Sequence, residues 1–312
     1  MRKLFLGLLA GVSGSLVAQD MRSDMALHKL LIDGANWELV AKGMGFADGP
    51  CTDRAGNFYY SDLRPGAIGP GIFRISKSGE RKKLFAEGAS GLKFGPDGRL
   101  YACQGKTKQL VAFDLKTGKK SVLAEDVRPN DLVVTRRGHV YFTETGKKQV
   151  VLVQGGKKRA VDEGITAPNG IALSADDAWL AVSDFKGRHV WLFRVEADGS
   201  LTYKEPFMTT RTKVAPGQKK LTGPLPQFQT SCRGDGMSSD KQGRWYVATS
   251  LGVQFFDPLG RISGVLPNPG EKGMTSVMLG GPKQEWLYAT CGDAIFRRRV
   301  QATGTAAFGP DR

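Results

Sequence analysis

The chain repeats itself, and the repeat decides the fold. Six segments share one pattern: a short apolar strand, a polar turn, and a second strand rich in aromatic and β-branched residues. They are FADGPCTDRAGNFYYSD (46–62), ASGLKFGPDGRLYACQ (89–104), RPNDLVVTRRGHVYFTE (128–144), APNGIALSADDAWLAVSD (167–184), RGDGMSSDKQGRWYVATS (233–250) and MTSVMLGGPKQEWLYATC (274–291). Between them lie six further hairpin-like stretches, such as QLVAFDLKTGKKSVLAEDV and HVWLFRVEADGSLTYKEPF, most with a Ser-Gly, Thr-Gly, Gly-Gly or Asp-Gly turn in the middle. Two hairpins make four strands per unit of about forty residues, and six such units predict an all-β fold, a six-bladed β-propeller around a central channel.

Other architectures lack their parts. Helical periodicity is nearly absent after the first residues, which removes the α/β folds, and a β-sandwich does not demand six similar units. A length of 312 residues and 41 glycines suits a turn-rich propeller over 46–312. The leader at 19–45 contains NWELVAKGMGF, which is placed to add a closing strand to the last blade and so remove an open sheet edge. Residues 1–18 form a separate unit: a basic start, Met1-Arg2-Lys3, then the apolar run LFLGLLAGVSGSLV, then Ala18. That is the layout of a secretory signal, and it predicts export to a periplasm or beyond. No apolar run reaches the length of a membrane-spanning helix.

One register position, just before the first strand of each repeat, reads Asp48, Ser90, Asn130, Asn169, Asp235 and Thr275. The steps are 42, 40, 39, 66 and 40 residues, and the long one holds an insertion at about 207–232, read as a loop beside the channel mouth. In a propeller the first strand of every blade lines the channel, so these six positions form a ring at one mouth. Four of them carry a carboxylate or carboxamide: Asp48, Asn130, Asn169 and Asp235. Oxygen donors of both kinds converging from different blades suit a hard divalent cation. Calcium fits best, with Zn2+, Mn2+ or Mg2+ as alternatives. Asn-Gly and Asp-Gly are also turn formers, but each repeat already has its turn some eleven residues later, so the ring position has no need of one. Ser90 and Thr275 complete the ring as wall.

The remaining features narrow the partners. The net charge is +15, spread as Lys-Lys pairs at turns and Arg297-Arg298-Arg299. Scattered pairs argue against nucleic acid and leave attraction to an anionic surface as a secondary property. Cys51, Cys103, Cys232 and Cys291 are far apart without a C-x-x-C pair, which argues against a zinc knuckle and leaves disulfides or buried thiols open. There is no G-x-S-x-G elbow, and His28, His139 and His189 all miss the ring register.

Taken in order at propeller spacing, DGP after an aromatic, RPND, PNG and RGDGM resemble the regucalcin/gluconolactonase family of six-bladed propellers, over nearly all of 40–300. The resemblance implies a divalent ion at the channel mouth and hydrolysis of lactones or phosphotriesters. It places Asp48 where the family has a Glu ligand, matches Asn130, Asn169 and Asp235 to the other ligands, and puts Arg128, two residues before Asn130, on substrate hydroxyls. Asp131 follows Asn130 as in the family. Asp48 is one methylene shorter than Glu, and Cys51 and Thr52 stand where the family often has Trp.

The resulting expectation is an exported, monomeric, metal-dependent hydrolase that opens a small-molecule lactone or ester. Asp235 would act as base or nucleophile, and Arg128 and Asn130 would orient the substrate. Arg128 has an alternative as a surface residue paired with Glu125 or Asp126. The competing function is a calcium-stabilised propeller that binds a carbohydrate or polyanion without turnover.

Overall fold

The computed structural model describes residues 26–212, 231–305 and 308. The signal-like segment 1–18 and most of the insertion lie outside the described residues. After a single turn of helix, α1 (Ala26–Leu30), and a first strand, β1 (Glu38–Lys42), the chain winds through four-stranded antiparallel sheets. The first blade is β2 (Ala47–Thr52), β3 (Phe58–Asp62), β4 (Gly71–Ile75) and β5 (Arg81–Phe85). The second is β6 (Leu92–Phe94), β7 (Leu100–Gln104), β8 (Gln109–Phe113) and β9 (Lys120–Glu125). The third is β10 (Leu132–Val134), β11 (Val140–Glu144), β12 (Gln149–Gln154) and β13 (Lys157–Glu163). The fourth is β14 (Pro168–Leu173), β15 (Trp179–Asp184), β16 (His189–Val195) and β17 (Leu201–Thr209). The fifth is β18 (Met237–Ser239), β19 (Trp245–Thr249), β20 (Gly252–Phe256) and β21 (Ile262–Pro267).

The sixth blade has only three strands of its own, β22 (Met274–Gly280), β23 (Trp286–Cys291) and β24 (Ala294–Arg299). Its outer strand is β1, which pairs antiparallel with β24 in the register Glu38↔Arg297 to Lys42↔Ala294. The ring is thus fastened by its own N-terminal strand. The fold is a six-bladed β-propeller, as the repeat predicts. Because β17 runs to Thr209, the insertion in the fourth repeat begins later than the sequence pattern suggested.

Burial follows position in the blade. The second strands, FYYSD, LYACQ, VYFTE and WYVAT, are buried at every residue because both sheet faces meet a neighbouring blade. The outermost strands face solvent, as in RKKLF and KKRAVDE. The core is therefore a set of six apolar wedges, each filled from two adjacent blades. One joins Tyr59 and Ile72 to Leu92 and Phe113; another joins Phe58 and Tyr60 to Met278 and Tyr288 across the closure. Leu30 of α1 fills the wedge between the fifth and sixth blades.

Candidate functional site

The six positions picked out by register do share one structural place. Asp48 pairs with Ser61, and Asn130 donates its backbone N–H to the Thr143 carbonyl (2.8 Å). Ser90 and Asp235 donate in the same way to Cys103 (3.0 Å) and Ala248 (2.9 Å). Asn169 and Thr275 fall in register shifts, between Pro168 and Ile171 and between Met274 and Ser276, and a third shift follows Asp48. Such bulges re-aim side chains at the end of a strand.

A belt of hydrogen bonds links these positions from blade to blade. Ser61 Oγ accepts from the Ala89 N–H (2.7 Å), and Ser90 Oγ donates to the Pro129 carbonyl (3.4 Å). Thr143 Oγ1 donates to the Asn169 carbonyl (2.6 Å) and Ser183 Oγ to that of Asp235 (3.0 Å). The Gly236 N–H donates to the Thr275 carbonyl (2.9 Å), and Thr275 Oγ1 closes the circle on Ala47 (2.8 Å). All six blade junctions are bridged at the level of the ring, so the candidate ligands are held by backbone that cannot shift one blade at a time.

The next residue in each blade reads Gly49, Gly91, Asp131, Gly170, Gly236 and Ser276. Three of the glycines, Gly91, Gly170 and Gly236, are there for close approach, whereas Gly49 has a positive φ of 56°. A Cβ on Gly170 would lie 2.1 Å from the Asp235 carbonyl oxygen, and one on Gly236 would lie 2.1 Å from Ser276 Oγ. Neither has a positive φ, so PNG and RGDGM are blade contacts and not turns. Asp131 is the one long side chain in this layer. Its Oδ1 accepts from the Leu132 N–H (2.8 Å), and its Oδ2 accepts from the Ile171 N–H of the next blade (3.2 Å). Sequence reasoning gave it no role, although comparing this layer across repeats would have singled it out.

Asp48, Asp131 and Asp235 are half-buried and close enough to feel one another's charge. Burial, with the Asp131 charge adding to it, pushes the Asp48 carboxyl up to about 8, against the pull of the Gly49 N–H. Asp235 is raised well above the usual carboxylate range by burial and then by the charges of Asp48 and Asp131. Asp131 is raised by burial as well, with the Lys93 ammonium pulling the other way. Among the described residues no lysine or arginine offsets Asp48 or Asp235.

The donor set fits a divalent cation. Asp48 and Asp235 each accept one backbone N–H, from Gly49 (2.8 Å) and Gly236 (3.0 Å). The carboxamides of Asn130 and Asn169 make no hydrogen bond among the described residues, although both side chains are half-buried. Uncompensated carboxylates beside unpaired carboxamides are the chemistry an oxygen-ligated cation satisfies. No three His, Cys, Asp or Glu side chains form a metal-binding group among the described residues, so the set depends on its asparagines.

Three further carboxylates hold the segments that lead into the ring. Asp62 accepts from the backbone N–H of Gly45 (3.0 Å) and Phe46 (2.8 Å), just before Asp48. Glu144 accepts from the Arg128 N–H (2.9 Å), two residues before Asn130. Asp184 accepts from Thr166 (3.2 Å) and Ala167 (2.9 Å), just before Asn169. Their signal was visible as a Ser/Thr-Asp/Glu pair ending the second strand in YYSD, YFTE and AVSD. The Arg128 side chain is exposed at the ring mouth and pairs with neither Glu125 nor Asp126 among the described residues. All four cysteines are buried free thiols.

The channel also contains a cavity of about 140 Å³ at its other end. It is lined by the far ends of the inner strands, including Thr52, Phe94, Leu173 and Ser239, with Lys93 further in and Phe308 of the C-terminal segment at its edge.

With this geometry in view, the comparisons are consistent. A gluconolactonase of Zymomonas mobilis is 26% identical over 94% of this chain and 89% of its own length. The structure of a gluconolactonase from Xanthomonas campestris aligns with a TM-score of 0.73 at 21% identity, covering 88% of this chain and 92% of that one. A calcium-binding regucalcin from Agrobacterium tumefaciens aligns with a TM-score of 0.70 at 17% identity, covering 89% of this chain and 98% of that one. The sequence profile of one family matches residues 46–293. The chain belongs to the SMP-30/gluconolactonase/LRE-like family.

Proposed function

We propose that this protein is an exported, metal-dependent hydrolase that opens a lactone. The observation that carries the reading is the ring itself: two half-buried, mutually repelling carboxylates, Asp48 and Asp235, stand level with two unpaired carboxamides, Asn130 and Asn169. The near full-length similarity to a gluconolactonase supports the reaction class. The calcium-binding description of the Agrobacterium protein supports the choice of ion.

Asp48, Asn130, Asn169 and Asp235 would hold the cation. A bound Ca2+ supplies polarisation of a carbonyl oxygen and stabilises the negative charge that develops there. The chain's own groups supply the rest. Asp235 would take the proton of an attacking water as the water oxygen bonds to the carbonyl carbon; the ring C–O bond then breaks and the freed ring oxygen takes that proton as a hydroxyl, or else Asp235 bonds to the carbonyl carbon itself and water later releases it. Arg128 and Asn130 orient the sugar ring by hydrogen bonds. Residues 1–18 direct export.

The test is turnover of an aldonolactone panel by the mature protein with and without chelator, and by Asp235→Asn. Activity that disappears in both cases supports the hydrolase. One observation favours a second reading, a calcium-stabilised binding propeller: the channel cavity lies at the opposite end from the ring. That reading takes over if calcium raises the Tm but no lactone or ester in the panel is opened.

A further inference from the structure

The inner strands start at the ring, so the second strands end there and the loops that follow them lie on the ring's face of the molecule. In the first four blades these loops read LRPG (63–66), GKTK (105–108), TGKK (145–148) and FKGR (185–188). They carry Arg64, Lys106, Lys108, Lys147, Lys148, Lys186 and Arg188, all exposed, and no acid. The acids next to them, Asp62, Glu144 and Asp184, are buried and committed to backbone N–H groups. Only Lys147 has one of these as a partner, Glu144 at 3.2 Å. Arg128 and Arg233 stand two residues before the ring positions Asn130 and Asp235.

The opposite face is different. Its turns mix both signs, as in DRAGN (53–57), GPDGR (95–99) and DKQGR (240–244). Their charges close on one another: Arg99 on Asp97 and Arg244 on Asp240, each at 2.6 Å. Even the doubly basic TRRGH (135–139) places Arg136 near Asp177, at 3.8 Å. The matching loops of the fifth and sixth blades read SL (250–251) and GD (292–293), with Asp293 paired to Lys272 at 3.2 Å, so the surplus of positive charge lies on the first four blades of the mouth that holds the candidate site.

We infer that the substrate carries a fixed negative charge besides its lactone, a free carboxylate or a phosphate. This rests on the hydrolase reading above. One exposed lysine does little, because its field is screened within about 8 Å at physiological ionic strength. Cations on four consecutive blades around one mouth add, concentrating an anion at the site and orienting it. A neutral sugar lactone would gain nothing from them.

The experiment compares kcat/KM for three lactones, one neutral, one with a free carboxylate and one with a phosphate, over a range of salt. It uses the mature protein with its divalent ion. Two charge-reversed variants with the same change in net charge are run beside it: Lys106→Glu/Lys186→Glu on the ring-face loops, and Lys82→Glu/Lys157→Glu on the outer strands. At low salt the charged lactones should be preferred by about tenfold or more, and added salt should erode that preference. The ring-face variant should lose most of the preference while turning over the neutral lactone within about twofold, and the outer-strand variant should keep it. Which charged lactone leads identifies the group. Turnover of the neutral lactone with no preference for charge, or an equal loss in the outer-strand variant, overturns the inference and leaves the hydrolase intact. Failure on all three lactones overturns both.

Discussion

Asp48, Asp131 and Asp235 are half-buried and act on one another by charge, and only the first and last lack a cation of the chain beside them. If Asp235 is the base or nucleophile, Asp235→Asn should lower kcat by about 10²-fold or more, with the far-UV spectrum unchanged. The buried carboxyls also predict how stability responds to pH. A raised Asp48 means the folded state holds a proton that the unfolded chain has released between about 4, the ordinary carboxylate value, and about 8. In chelator, stability should therefore fall as pH rises through that window, and saturating calcium should flatten the slope by favouring the charged form. Thermal unfolding at stepped pH, with and without calcium, reads this directly; a stability that rises with pH in chelator would contradict the assignment. The glycines beside the ring make a third test. Gly170→Ala forces a methyl into the Asp235 carbonyl and should cost about 1–3 kcal/mol in urea unfolding.

At the scale of the element, three of the ring residues, Asp48, Asn130 and Asn169, are held by two attachments. One is the hydroxyl belt between blades; the other is the carboxylate at the end of a second strand, which grips the segment leading into the ring. Asp184 illustrates the second. Its oxygens take the N–H groups of Thr166 and Ala167 and so fix the approach to Pro168 and Asn169. Asp184→Asn leaves every candidate ligand in place, yet it should weaken the ion by about tenfold or more, as loss of groups that position ligands commonly does. Calorimetric titration with calcium is the measurement, and unchanged affinity would show that the belt alone suffices.

For the whole molecule, the closure decides cooperativity. Strand β1 supplies the outer edge of the last blade, and its loss would expose β24 as an open edge bearing AIFRRR. Removing residues through Lys42 should abolish cooperative unfolding and give aggregates on size-exclusion chromatography. An ion held at the ring would act on the same scale, because its candidate ligands come from four blades: binding to the folded ring alone should raise the Tm with ion concentration.

The sequence by itself determined the architecture and the level of the ring. A period near forty residues, two turns per period and buried second strands leave a propeller as the solution, and the register then brings Asp48, Asn130, Asn169 and Asp235 to one mouth. Those are properties of local pattern and repetition, which survive in one dimension. What only the tertiary structure decided depends on contact between blades. It showed why Gly170 and Gly236 are glycines, since the clash is with a different blade. It showed that Asp131 bridges to Ile171, and that Asp62, Glu144 and Asp184 are spent on backbone while the cations beside them stay exposed. A hydrogen bond across a blade junction leaves no period in the chain, so the belt, the half-buried carboxylates and the cations gathered on four blades of one mouth became legible only once the ring was closed.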